Sequence, residues 1–141
     1  MKIIEEIKKS VYAKYQTSTL FTVDQVAFYM DHVPQAVSYP CVVFYHIASN
    51  NFMAMANPSK TEGFDYVDSI FQFSIYSNDR QHVQAEDIAD RIEDLYHRQS
   101  LTMSNSVSHI GTIVTNSRTK FWDQSQKIWH ISQDYRILAG R

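Results

Sequence analysis

A chain of 141 residues, 44% apolar and 13% aromatic, has the length of one domain and enough apolar side chains to form a core without disulfide or metal. Thirteen basic against fifteen acidic residues leave a formal charge of −2, which argues against a dedicated nucleic-acid binder and its basic excess. The lone cysteine, Cys41, excludes an internal disulfide, no apolar run approaches the roughly 20 residues that span a bilayer, and Glu5 and Glu6 fall where a secretory leader needs apolar residues. A soluble protein made in the cytosol is expected.

The first segment has helical spacing. Ile3, Ile7, Val11 and Tyr15 recur every four residues, with Glu5, Glu6, Lys8, Lys9 and Lys14 on the other side, and Thr17-Ser18-Thr19 ends the run. Val26–Met30 is a short strand candidate, and 31–39 is a loop closed by Pro40. Cys41–Ile47 is nearly continuous in apolar and β-prone residues, as in a central strand covered on both faces. Val67–Tyr76 alternates, with Phe71, Phe73 and Ile75 against Gln72 and Ser74. Ser77-Asn78-Asp79 offers an N-cap to a second helix whose stripe is Ala85, Ile88, Ala89, Ile92, Leu95 and Tyr96. Val107–Thr115 is a strand with Ile110, Thr112 and Val114 on one side, and 117–125 turns the chain. The last strand, 127–138, sets Trp129, Ile131, Tyr135 and Ile137 against His130, Ser132, Asp134 and Arg136. The order α-β-β-β-α-β-β implies an α+β, two-layer fold: a mostly antiparallel or mixed sheet with two helices packed on it. No repeat or interdomain linker interrupts 1–141, so one domain is expected.

Chemistry is hard to place on this chain. Three glycines, Gly63, Gly111 and Gly140, cannot form a phosphate-cradling loop or a dinucleotide fingerprint. The six histidines (His32, His46, His82, His97, His109, His130) include no i, i+4 pair and no i, i+2 pair. Zinc would have to gather scattered His and acidic residues, so a His109–His130 metal pair across strands is set aside and no metal is expected. Cys41 and His46 fall on opposite faces of their strand, which leaves Cys41 a small buried residue. Asp65 and Asp68 with Glu86 or Asp87 lack the lysine of a nuclease cluster, and the acids of the second helix are its wet face. No catalytic residue and no cofactor is expected.

One segment resists a purely architectural account. Residues 50–66 connect two strands over about 17 positions, where loops commonly run to roughly four to six. They carry Phe52, Met53, Met55, Phe64 and Tyr66, a mixture suited to adaptable contact surfaces. Two readings stay open: a loop folded back on its own sheet, or an arm, in the form of an extended hairpin, that docks on a neighbouring subunit.

The landmarks taken together resemble the tail terminator or tail-completion proteins of long-tailed phages and prophages, the lambda gpU-like group. The resemblance is carried by the N-terminal helix and proline-containing loop, then Pro40-Cys41-Val42-Val43-Phe44-Tyr45. It continues in Phe71-Gln72-Phe73-Ser74-Ile75-Tyr76-Ser77 running into Ala85-Glu86-Asp87-Ile88-Ala89, and in Phe121-Trp122-Asp123 before the strand 127–137. What it implies is a non-enzymatic virion protein at the tail–head junction, assembled in the bacterial host cytoplasm. It would form a homo-oligomeric ring, usually a hexamer, on the end of the tail tube, ending tail polymerisation and offering a surface for head–tail joining. Its partners would be copies of itself, the tail tube protein and a head connector or stopper, with DNA passing through the lumen without sequence-specific binding, and no membrane. Competing readings are another connector or stopper, a tube subunit, or a small α/β ligand-binding domain or enzyme.

Overall fold

The computed structural model describes residues 3–53, 65–79, 82–104, 107–115 and 118–140. In chain order the elements are α1 (Ile3–Gln16), α2 (Thr19–Thr22), β1 (Ala27–Met30), β2 (Cys41–Met53), β3 (Asp65–Ser77), α3 (Val83–Tyr96), β4 (Ser108–Val114), β5 (Thr119–Asp123) and β6 (Ile128–Gly140). Six strands form one sheet in the order β1-β2-β3-β6-β4, with β5 also on β6. β1 joins β2 in parallel and every other pairing is antiparallel, so the α+β fold with a mixed sheet is observed. Among the described residues no helix is long and apolar enough to cross a membrane.

β6 is the backbone of the right half of the sheet. β3 pairs with it from Tyr66↔Gly140 to Ser77↔Trp129, which uses one of its two edges throughout. Its other edge is shared: β5 takes 128–132 and β4 takes 135–140.

The helical stripes read from the sequence are the core. Ile7, Val11 and Tyr15 of α1 and Ala85 of α3 are fully buried, and Ile3, Ile88, Ala89, Ile92 and Tyr96 are nearly so. They cover one face of the sheet, where Phe44 lies parallel to Phe71 at 4.8 Å and meets Phe73 at 4.7 Å. Burying Tyr15 and Tyr96 requires partners for their hydroxyls, which donate to the carbonyls of Val26 (2.9 Å) and Val11 (2.7 Å). Burial pushes both phenols upward, and pushes the Cys41 thiol up to about 11, so Cys41 is an unreactive part of the interior.

Several local expectations are corrected. α2 and β5 were not anticipated; both are short, and β5 ends where the Asp123 carboxylate accepts from the backbone of Ser125 and Gln126, the turn that the sequence did announce. β2 continues beyond Ile47 to Met53, through a bulge between His46 and Ala48. α3 starts at Val83, after His82, and Ser77-Asn78-Asp79 does not cap it; Ser77 instead ends β3 and bonds Gln84 and the backbone of Asp79. Glu6, placed on the wet side of α1, is 3% exposed because the segment after α3 crosses it and Ser104 donates to its carboxylate. Ile110 is not on the inner side of β4: a bulge between His109 and Gly111 leaves it without a partner on β6, and it is 51% exposed.

The margins of the sheet differ in how they are protected. The segment 97–101 closes the outer edge of β4, through Arg98 N–H to the Thr112 carbonyl (2.8 Å) and Val114 N–H to His97 Nδ1 (3.1 Å). Among the described residues β1 has β2 as its one strand neighbour, and β5 has β6.

Candidate assembly surface

The sheet face opposite the helices is built by strand alternation, and the register fixes its members. Cys41, Val43 and Tyr45 of β2 stand beside Tyr76, Ser74 and Gln72 of β3, which stand beside His130, Ser132 and Asp134 of β6. Cys41 and His46 therefore occupy opposite faces of β2, as the spacing implied. At one end of this face Tyr76 stacks on His130 at 4.5 Å, and Phe121 meets the same imidazole edge-on at 4.8 Å. Burial lowers the pKa of His130, favouring the neutral ring. In the middle lies a polar network: Tyr45 bonds Gln72, Gln72 donates to Asp134 at 3.0 Å, and Ser74 donates back to Gln72 at 3.2 Å.

Toward the other end Arg136 holds Asp68 through two bonds, one of them Nε–H to Oδ1 at 2.7 Å. The Arg136 side chain is the one cation that β2, β3 and β6 place on this face, and it is already paired. The bonded guanidinium holds the Asp68 carboxyl below its usual range. A carboxyl with a lowered folded pKa contributes stability above its unfolded pKa and loses it as pH falls through the folded value. The urea midpoint of Asp68→Asn is thus expected below that of the parent from about pH 5 upward, with the gap closing in stronger acid. A gap unchanged across that titration would contradict the assignment.

The sequence singled out Phe52, Met53, Met55, Phe64 and Tyr66. Tyr66 is 38% exposed, at the last rung that β3 makes with β6. Phe52 and Met53 form the final rungs of β2, opposite Tyr66 and Asp65. Met55 and Phe64 lie outside the described residues. Ile110 lies toward the same end, and Ile47 and Ile113 stand farther in, level with Ile70 of β3; each is about half exposed, which the sequence reading missed. For Ile110 the bulge at 109–111 interrupts the alternation that would have turned it inward, whereas Ile47 follows Cys41, Val43 and Tyr45 in phase toward the helix-free face.

The groups considered for chemistry are dispersed. His109 lies near Thr112 and Leu101, whereas His130 is beside Tyr76, so the two imidazoles do not pair. Asp68 is committed to Arg136, and Glu86 to Lys120 and His82. Asp87 and Asp90 on the outer face of α3 bond Arg91 and Arg118. Among the described residues no three His, Cys, Asp or Glu side chains are placed to hold a metal ion.

Comparison with known proteins gives two findings. A chain from the structure titled "Virion of native gene transfer agent (GTA) particle" superposes with a TM-score of 0.70 at 14% identity, covering 99% of this chain and 98% of that one. At that identity the likeness shows a shared fold. No curated protein matches. The family described as "Tail completion protein gp17" matches residues 16–140, nearly the whole length from the end of α1 to the end of β6. The protein belongs to this tail completion family.

Proposed function

We propose that the protein acts as the terminator of the phage tail: a ring, six copies around, that caps the last ring of the tail tube, stops its growth and presents a surface to the head connector. It works in the virion, at the junction of tail and head. The family match over residues 16–140 carries this reading. The geometry agrees with it, because function through contact needs exposed apolar side chains. Tyr66 and Ile110 supply such side chains toward the end with the β2–β3 connection, and Ile47 and Ile113 stand farther in, level with Ile70 of β3. The residues Phe52, Met53, Met55, Phe64 and Tyr66 are proposed as an arm, at about 50–66, that extends this patch onto the neighbouring copy. The whole chain 1–141 then acts as one domain.

The charge pattern suits a conduit for DNA. With a formal charge of −2 and Arg136 neutralised by Asp68, the helix-free face offers little for phosphates to hold. Strong phosphate contacts would retard passage.

Light scattering across a dilution series is expected to show a concentration-dependent hexamer, and addition of that hexamer to polymerising tube protein should halt elongation. A dilution-resistant monomer, or tubes that lengthen unchanged in its presence, would overturn the reading.

A further inference from the structure

We propose that the ring is sealed by strand pairing: the outer margin of β5 in one copy joins the outer margin of β1 in the next, making a continuous closed sheet. The inference rests on the ring reading above and adds the seam by which copies meet.

Four observations lead to it. First, among the described residues these two margins lie beside no second strand, and Lys120, the one basic residue of β5, is engaged by Glu86 of α3. The edge of β4 is closed by residues 97–101, and the stretch of β2 beyond β1 is interrupted by the bulge at 46–48. β1 reads Ala27-Phe28-Tyr29-Met30, an edge strand with no charge, no proline and no bulge, which are the devices that ordinarily prevent an edge from pairing. Second, the margins lie at one height. Ala27, Cys41, Tyr76, His130 and Phe121 follow one another rung to rung across five strands, so β1 and β5 are the two ends of a single row.

Third, the directions agree. β1 runs with β2, β2 against β3, β3 against β6 and β6 against β5, so β1 and β5 point oppositely. Rotation about an axis along the strands preserves direction, and β5 would therefore meet the next β1 antiparallel, the more stable form of pairing. Fourth, lengths and side chains fit: four residues face five, and Phe121, 48% exposed, stands on the face that Ala27 and Tyr29 share by register. A heterologous contact of this kind forms a ring when the rotation per copy closes, and every β1 and β5 margin is then paired.

Dimensions permit it. Six copies contributing five strands at about 4.8 Å give a barrel about 45 Å across at the backbone, wider once strands tilt. A duplex passes.

The experiment is a cysteine pair. Ala27→Cys and Phe121→Cys are introduced together in a Cys41→Ala background, with Tyr29→Cys replacing Ala27→Cys in a second variant to allow for a shift of two residues. Within one chain Ala27 and Phe121 are four strand spacings apart, about 19 Å, whereas a disulfide needs Cα atoms within about 7 Å. Any bridge is therefore between copies. Mild oxidation of the assembled protein is expected to give a ladder on a non-reducing gel that ends at the hexamer, absent from Phe121→Cys alone. A ring confirmed by light scattering in which neither pair yields a ladder overturns the seam and leaves the ring reading standing. A protein that is monomeric at every concentration overturns both.

Discussion

Phe73→Ala is expected to destabilise the fold by about 3–5 kcal/mol, the range for deleting a large buried aromatic from a core that cannot collapse around the loss. Phe73 is 1% exposed and sits where the sheet meets the helices that cover one of its faces. Its ring is 4.7 Å from Phe44, 5.1 Å from Tyr96 with a shallow 27° tilt, and 5.1 Å from Tyr135 edge-on at 81°. These neighbours are held independently. Tyr96 is tied to α1 through its hydroxyl on the Val11 carbonyl, and Phe44 and Tyr135 are fixed by β2 and β6, so the vacated space stays open. Since small domains commonly have only about 5–15 kcal/mol in total, the variant should lose much of its cooperative stability. Urea denaturation followed by tryptophan fluorescence measures this, and a midpoint within error of the parent would refute the packing account. Phe121→Ala is the matched control: its ring is about half exposed on a margin strand, so the monomer should barely respond.

The same contrast explains which parts of the molecule could be read from residues alone. Ile3, Ile7, Val11 and Tyr15, and the stripe from Ala85 to Tyr96, are buried because a helix with one apolar face has a single way to hide it. Phe71, Phe73 and Ile75 follow from alternation in the same way. The order of the sheet was not legible, since nothing local states that β4 and β5 will share one edge of β6. Bulges were equally silent: Ile110 is turned outward by one unpaired residue, although its neighbours Thr112 and Val114 kept the expected phase. β5 escaped notice because Thr119–Asp123 is only five residues long and runs directly into a strong turn signal at Asp123. For the assembly surface, composition marked the segment around Tyr66. The exposed isoleucines, and the margins of β1 and β5 that no second strand pairs among the described residues, emerge only when separate strands are brought together.

Removing Phe52–Gly63 is expected to leave the monomer folded while raising the ring's dissociation constant by about a hundredfold or more. The fold should survive because the deletion takes only the last rungs of β2 against β3. Asn51 would still face Val67, with Phe64, Asp65 and Tyr66 left as a three-residue hairpin loop, a common length. Every core residue from Val67 inward, and the pairing of β3 with β6 from there to Ser77, stays in place. What is lost is contact area. Burying even two side chains such as Phe52 and Met55 against a neighbour is worth about 1.5–3 kcal/mol each, and about 2.8 kcal/mol is a hundredfold in affinity. The measurement is sedimentation of parent and deletion over the same concentrations, with circular dichroism and the urea midpoint to verify the monomer. A deletion that assembles as tightly as the parent would show that Phe52, Met53 and Met55 make no contact that holds the ring. Because β1 and β5 lie at the opposite end of the sheet from Tyr66, the Ala27–Phe121 crosslink should still form in whatever ring the deleted chain makes at high concentration. The two contacts can therefore fail separately, so each can be tested in the presence of the other.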